Sequence, residues 1–251
     1  MPIIELSTFQ YVFAFFAFFL GGLVKGTVGM GMKAITLGLL ATVVSLPVAI
    51  ALLIVPGLTA NAWQVVGGGA PRQTLRRIWP LLAACCIGVW LGAEVLVVAE
   101  TRLLTIGLGI LLGAYAAYGL IAPHIPTPGR HEIWMSPTIG GLNGLAAGMT
   151  GSDVIPGVPY LQAMGLPREE LVQAMGLLFL TASIAIAFAF QNKGLLDGEL
   201  AVSSVVSAIP ALSGYWFGAK IRRRIAEAQF RRVILVSLLI LGSYIVVRNV
   251  I

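Results

Sequence analysis

Apolar residues fall along this chain in long runs rather than in alternation, and the polar stretches between them are short and rich in glycine, proline or charge. Runs can be read at 9–24, 34–46, 48–66, 78–98, 103–122, 133–149, 154–164, 171–190, 200–219 and 233–247. Several have the roughly 20 residues that carry a helix across a hydrocarbon core, and four fall short of it. The short runs form two adjacent pairs, 9–24 with 34–46 and 133–149 with 154–164, each split by a glycine-rich polar break. Sliding the chain on itself by 120 residues lays Gly21 on Gly141, Gly31 on Gly151, and Leu46 and Pro47 on Leu166 and Pro167. Each copy then runs into a long apolar segment. The pattern predicts an all-α integral membrane protein of two inverted-topology repeats with broken or re-entrant helices, in about eight to ten membrane-embedded helical segments. The expected units are an N-terminal membrane repeat over 1–123, a cytoplasmic linker over 124–132 and a C-terminal membrane repeat over 133–251.

Composition agrees: 58% of residues are hydrophobic and only 10% charged, far from the balance of a soluble domain. Charge placement sets the expected orientation, because short cytoplasmic loops collect Lys and Arg. The basic clusters are Arg72, Arg76 and Arg77, and Lys220, Arg222, Arg223, Arg224, Arg231 and Arg232. They share one side only if each half crosses the membrane an odd number of times. In that arrangement "APHIPTPGRHEIW" is cytoplasmic as well, while the loops near Glu100 and "QNKGLLDGE" lie outside with both termini. The net charge of +6 is then a membrane signature, and no nucleic-acid partner is expected. The N-terminus lacks the basic start and cleavage site of a secretory signal, so the first apolar run is expected to stay in the mature protein. Cys85 and Cys86 are read as buried free thiols, and His124 and His131 as solvated loop residues; no metal and no cofactor is implied.

The breaks are where chemistry is expected. Non-helical backbone at membrane depth survives only where protein or a watery cavity covers it, so a break usually lines a site. Glycine permits the sharp turn, and half-helices starting there aim N–H groups and positive dipole ends inward, which favours an anion. Candidate anion ligands in the first break are Lys25, Thr27, Gly29, Gly31 and Lys33, and in the second Thr150, Gly151 and Ser152. Lys25 has a competing reading as a snorkelling interfacial lysine. Thr27, Thr150 and Ser152 have one as partners for freed backbone groups. Asp153 is the acidic residue of the breaks, either a proton- or Na⁺-coupling group and partner for Lys33, or a cap for a helix starting at Val154. Asn61 and Thr181 coincide under the 120-residue shift and are added as a pair, with helix-to-helix hydrogen bonding as the alternative. Gln64, Asn143 and Gln173 are further intramembrane polar groups, and Glu94 reads as interfacial.

The segments "GGLVKGTVGMGMKAITLGLL" and "GGLNGLAAGMTGSDVIPGVPYLQAMGLPREELVQAMGLLF" resemble the two signature repeats of the sulfite exporter TauE/SafE family, bacterial and archaeal membrane transporters, over essentially the whole chain. The resemblance implies a multi-pass inner- or plasma-membrane carrier of sulfite or small organosulfonates such as sulfoacetate, working by alternating access. Its partners would be a small anion, the lipid bilayer and, as coupling ion, H⁺ or Na⁺. A passive anion channel or a non-transporting accessory protein is the alternative. An intramembrane enzyme is disfavoured, because neither HExxH nor GxSxG occurs and no His lies in an apolar run.

Overall fold

A computed structural model of the chain describes residues 7–66, 71–121, 126–221 and 227–250. His124 and the basic residues Arg222, Arg223 and Arg224 lie outside these. The described residues form eleven α-helices and one 3-10 turn, in the order α1 (Thr8–Val28), α2 (Met32–Leu40), α3 (Leu46–Leu52), α4 (Ile54–Val66), α5 (Pro71–Val98) and α6 (Thr101–Ile121), then the turn Gly129–His131, α7 (Glu132–Thr150), α8 (Gly157–Ala163), α9 (Arg168–Asn192), α10 (Gly198–Ile221) and α11 (Glu227–Val250). Each apolar run carries one helix, except 34–46, which runs past the end of α2 to the first residue of α3, and 48–66, which is divided at Leu53 into α3 and α4. Six helices are long and apolar enough to cross a membrane, or seven segments if the pair α3–α4, bent by 44°, counts as one span. The chain is therefore a multi-pass helical membrane protein. α2 and α8, of 9 and 7 residues, are too short to cross alone.

The α3–α4 bend is closed by a residue from elsewhere in the sequence. Ser204 of α10 accepts from the Val55 N–H at 3.0 Å and donates to the Leu52 carbonyl at 3.0 Å, satisfying backbone groups that the bend frees.

Both broken pairs are hairpins. Gln10 Nε2, near the start of α1, donates to the Val43 carbonyl beyond the end of α2 at 2.8 Å, and Thr36 of α2 donates to the Ala17 carbonyl at 3.3 Å. The second arm thus returns toward the end of the bundle where the first began. In the other pair, the Gly157 N–H at the start of α8 donates to Asn143 Oδ1 of α7 at 2.9 Å, and Ser136 near the start of α7 meets Tyr160 at 2.7 Å. α1 runs on to Val28, so Lys25 and Thr27 stand on its last turns rather than in the break itself, which is closed by Gly29 in the left-handed region at φ 88°.

Each hairpin is gripped by one long helix through a close glycine-lined crossing, α1 by α10 and α7 by α5. A Cβ at Gly26 would stand 2.1 Å from the Tyr215 carbonyl oxygen, and one at Gly144 2.1 Å from that of Cys85. Such contact between backbones is how helices associate where no water drives them together. Polar contacts tie the two ends of the bundle. At one end Arg77 of α5 holds Glu132 of α7 with two bonds of 2.9 Å and reaches the Met164 carbonyl after α8. At the other, Lys193 following α9 pairs with Glu94 of α5 at 2.5 Å, Arg102 of α6 bonds the Val250 carbonyl of α11 at 3.0 Å, and Arg248 bonds the Thr42 carbonyl at 2.8 Å. Glu94, half exposed in this pair, sits at a helix end as expected. The cysteines are both free, but only Cys85 is buried. Cys86 faces outward, because adjacent helical residues point about 100° apart. Many of the large apolar side chains on the outer faces, such as Val205, Ile209 and Trp216 of α10, are exposed, as a lipid-facing surface requires.

Candidate functional site

Where the two breaks meet, the interior holds charge. Lys25, Lys33 and Asp153 are the charged side chains buried among the described residues, with 3%, 9% and 1% of their surface exposed. Lys33 is the second residue of α2 and follows Gly31, whose φ of 93° turns the chain into that helix. Asp153 lies in the non-helical stretch between α7 and α8. Their side chains form an ion pair, Lys33 Nζ to Asp153 Oδ2, that joins the two hairpins across 120 residues of sequence, the offset that lays Gly31 on Gly151. The capping alternative for Asp153 does not hold: α8 begins at Gly157 after Pro156, with no side-chain cap.

Lys25 is not interfacial. Its ammonium donates to Asn61 Oδ1 of α4 and stands 5.7 Å from the centre of the Phe179 ring of α9. Asn61 Nδ2 continues to Ser183 Oγ at 3.3 Å, and Ser183 in turn donates to the Phe179 carbonyl at 2.7 Å. The polar cluster is therefore Lys33, Asp153, Lys25, Asn61 and Ser183, contributed by α1, α2, α4, α9 and the second break. Thr181 is only half buried and takes no part in this network; two residues along a helix turn a side chain to nearly the opposite face, and Ser183 holds the place beside Asn61. Ser183 and Phe179 were not singled out from the sequence. The sole trace of Ser183 there is a hydroxyl within an apolar run.

The remaining candidates serve the backbone first. The N–H groups of Gly29 and Gly151 close the last turns of α1 and α7 onto the carbonyls of Lys25, at 2.7 Å, and Ala147, at 2.8 Å, with Gly151 at φ 76°. Thr27 donates to the Leu23 carbonyl at 2.7 Å and lies 3.3 Å from that of Gly218 on α10; Thr150 donates to Ala146 at 2.8 Å and accepts from the Ser152 N–H at 3.3 Å. Ser152 is buried beside Asp153.

A cavity of about 10 Å³ adjoins the ion pair, lined by Lys33, Gly151, Ser183, Leu53, Ile54 and Ile186. That is room for about one water, so the site is closed to anything larger. Toward the Arg77 end it is covered by a reciprocal amide clasp between α4 and α9, in which Gln64 Nε2 donates to the Val172 carbonyl and Gln173 Nε2 to the Val65 carbonyl, each at 2.9 Å.

Hairpins whose breaks meet around buried lysines and one carboxylate define a class, the helical membrane proteins that keep a charged site at depth under a cover of protein. The family is specific: the chain matches the model of the family described as sulfite exporter TauE/SafE over residues 14–245, and it belongs to that family. No curated protein and no solved structure matches it.

Proposed function

We propose that this chain is a secondary transporter of small sulfur-containing anions, sulfite or organosulfonates such as sulfoacetate, in the inner or plasma membrane. Family membership supports the cargo class. The observation that carries the mechanism is the buried Lys33–Asp153 pair joining two hairpins. In this reading the hairpins belong to inverted repeats spanning 1–123 and 133–251, joined by a cytoplasmic linker. The returns of α2 and α8 toward opposite ends of the bundle support the inversion. Alternating access exposes the closed site first to one end and then to the other, with the Gln64–Gln173 clasp opening on one stroke.

Lys33 and Lys25 attract the anion, with the hydroxyl-bearing Ser183 lining the cavity beside Lys33, Ser152 buried next to Asp153 in the chain, and Asn61 holding Lys25 in place. Thr27, Gly29, Gly31, Thr150 and Gly151 shape the breaks. Asp153 is the coupling residue: ionised, it holds Lys33 and opposes a doubly charged anion such as sulfoacetate, and a proton or Na⁺ on it releases both restraints. The test is uptake into proteoliposomes. The parent protein shows saturable uptake of sulfoacetate that depends on an imposed H⁺ or Na⁺ gradient, and Asp153→Asn still binds the anion but loses that dependence. Non-saturating flux would make the protein a channel, and unchanged gradient dependence in the variant would remove Asp153 from coupling.

A further inference from the structure

From the charge count of the closed site, we infer that it is built for one net negative charge, so that a monoanion neutralises it alone whereas a dianion enters only together with a proton on Asp153. The inference rests on the anion-transport reading and adds the valence of the cargo and its link to the proton.

The buried charged groups among the described residues are two lysines and one aspartate. Lys33 and Asp153 cancel as an ion pair, leaving Lys25. Its ammonium has three donors, yet among the described residues its side-chain acceptor is the neutral Asn61, with the Phe179 ring on another side. Among the described residues no carboxylate is hydrogen-bonded to it. An isolated ammonium in a low-dielectric interior is costly, and a single negative charge within reach of it and Lys33 removes that cost. A second negative charge recreates the problem with opposite sign. Protonating Asp153 breaks its hold on Lys33 and raises the site to two positive charges, which matches a dianion. Loaded sites are then neutral for both cargo types, and the number of protons carried equals the anion's valence minus one. Cys85 of α5, a buried free cysteine, is not counted as a charge.

Two probes of nearly equal size separate valence from shape: methanesulfonate, a fixed monoanion, and sulfate, a fixed dianion at neutral pH. Isothermal titration of the purified full chain at neutral pH is expected to show methanesulfonate binding at least about tenfold tighter than sulfate, since the cost of burying an ion rises with the square of its charge while its attraction to one net positive charge rises only in proportion. Asp153→Asn fixes the site at two positive charges and should raise the sulfate-to-methanesulfonate affinity ratio by about tenfold. Lys25→Met should abolish methanesulfonate binding. Thermal unfolding of each variant in the same detergent shows whether it is folded, and the parent comparison stands without any variant. If sulfate binds the parent as tightly as methanesulfonate, or the Asp153→Asn ratio is unchanged in a folded protein, the valence inference falls while anion transport stands. If neither methanesulfonate nor sulfite binds the parent, the transport reading falls with it.

Discussion

At the scale of single residues, the decisive fact is that Lys33 and Asp153 are buried together. A buried ion pair adds little net stability over an apolar pair, but removing one partner strands the other charge. Lys33→Met should therefore cost about 3–5 kcal/mol of stability, and Lys33→Met combined with Asp153→Leu should recover most of it. The single variant, whose remaining charges cancel, should lose anion binding, and comparison of the melting temperatures of the two proteins in detergent reads the difference in stability. Equal melting of the single and double variants would mean that Asp153 is hydrated rather than paired. Much of this pair was legible in the sequence, because a charge in a glycine-rich break of an apolar chain needs a reason, and the two residues fall on each other under the internal repeat. The depth of Lys25 was not, since its position on α1 is compatible with either an interface or a core, and only the packing of α4 and α9 against it decides. Ser183 was overlooked for a related reason. The repeat offset pointed to Thr181, and which face of α9 turns inward depends on contacts the sequence does not display.

At the scale of elements, glycine performs two separate tasks. Gly29 and Gly151 end helices in a conformation that L side chains rarely adopt, which the clustering of glycines in the breaks foretold. Gly26, Gly144 and their neighbours instead let α10 and α5 press against the hairpins, and a run of apolar residues conceals that role until the partner helix is known. The same limit hid the division of 48–66 into α3 and α4, where the stabilising hydroxyl comes from Ser204 on α10. Two neighbouring substitutions distinguish packing glycines from incidental ones. A Cβ at Gly144 would stand 2.1 Å from the Cys85 carbonyl oxygen and 2.8 Å from its carbon, whereas one at Gly141 meets nothing within 4 Å. Gly144→Ala must push α5 and α7 apart and should destabilise by roughly 1–3 kcal/mol. Gly141→Ala should be neutral or stabilise by up to about 1 kcal/mol through helix propensity. Thermal unfolding of the two variants side by side checks the expectation, and a milder effect at Gly144 than at Gly141 would refute the close crossing.

At the scale of the whole molecule, the arrangement of ends follows from the hairpins. If each hairpin returns to the side where it began, only α3–α4, α5 and α6 in the first half, and α9, α10 and α11 in the second, carry the chain across. Each half then makes a net odd number of crossings, and the second half begins on the opposite side from the first. The polar contacts agree with this accounting: Arg77 and Glu132 fall at one end, and Glu94 with Lys193, and Arg102 with the end of α11, at the other. Arg72, Arg76 and Arg77 at the start of α5 and Lys220 at the end of α10 then share the Arg77 end, and the concentration of Lys and Arg there predicts that it faces the cytoplasm. Single cysteines at Arg76, Lys220 and Asp197, in a chain whose Cys85 and Cys86 are replaced by alanine, test the arrangement in intact cells. A membrane-impermeant maleimide added outside should label position 197 and leave 76 and 220 unmodified until the cells are opened. Had each broken pair instead crossed once as a single span, each half would cross four times and the two basic ends would lie on opposite sides. One of positions 76 and 220 would then react from outside, and that result would overturn both the return of the hairpins and the inverted relation of the halves.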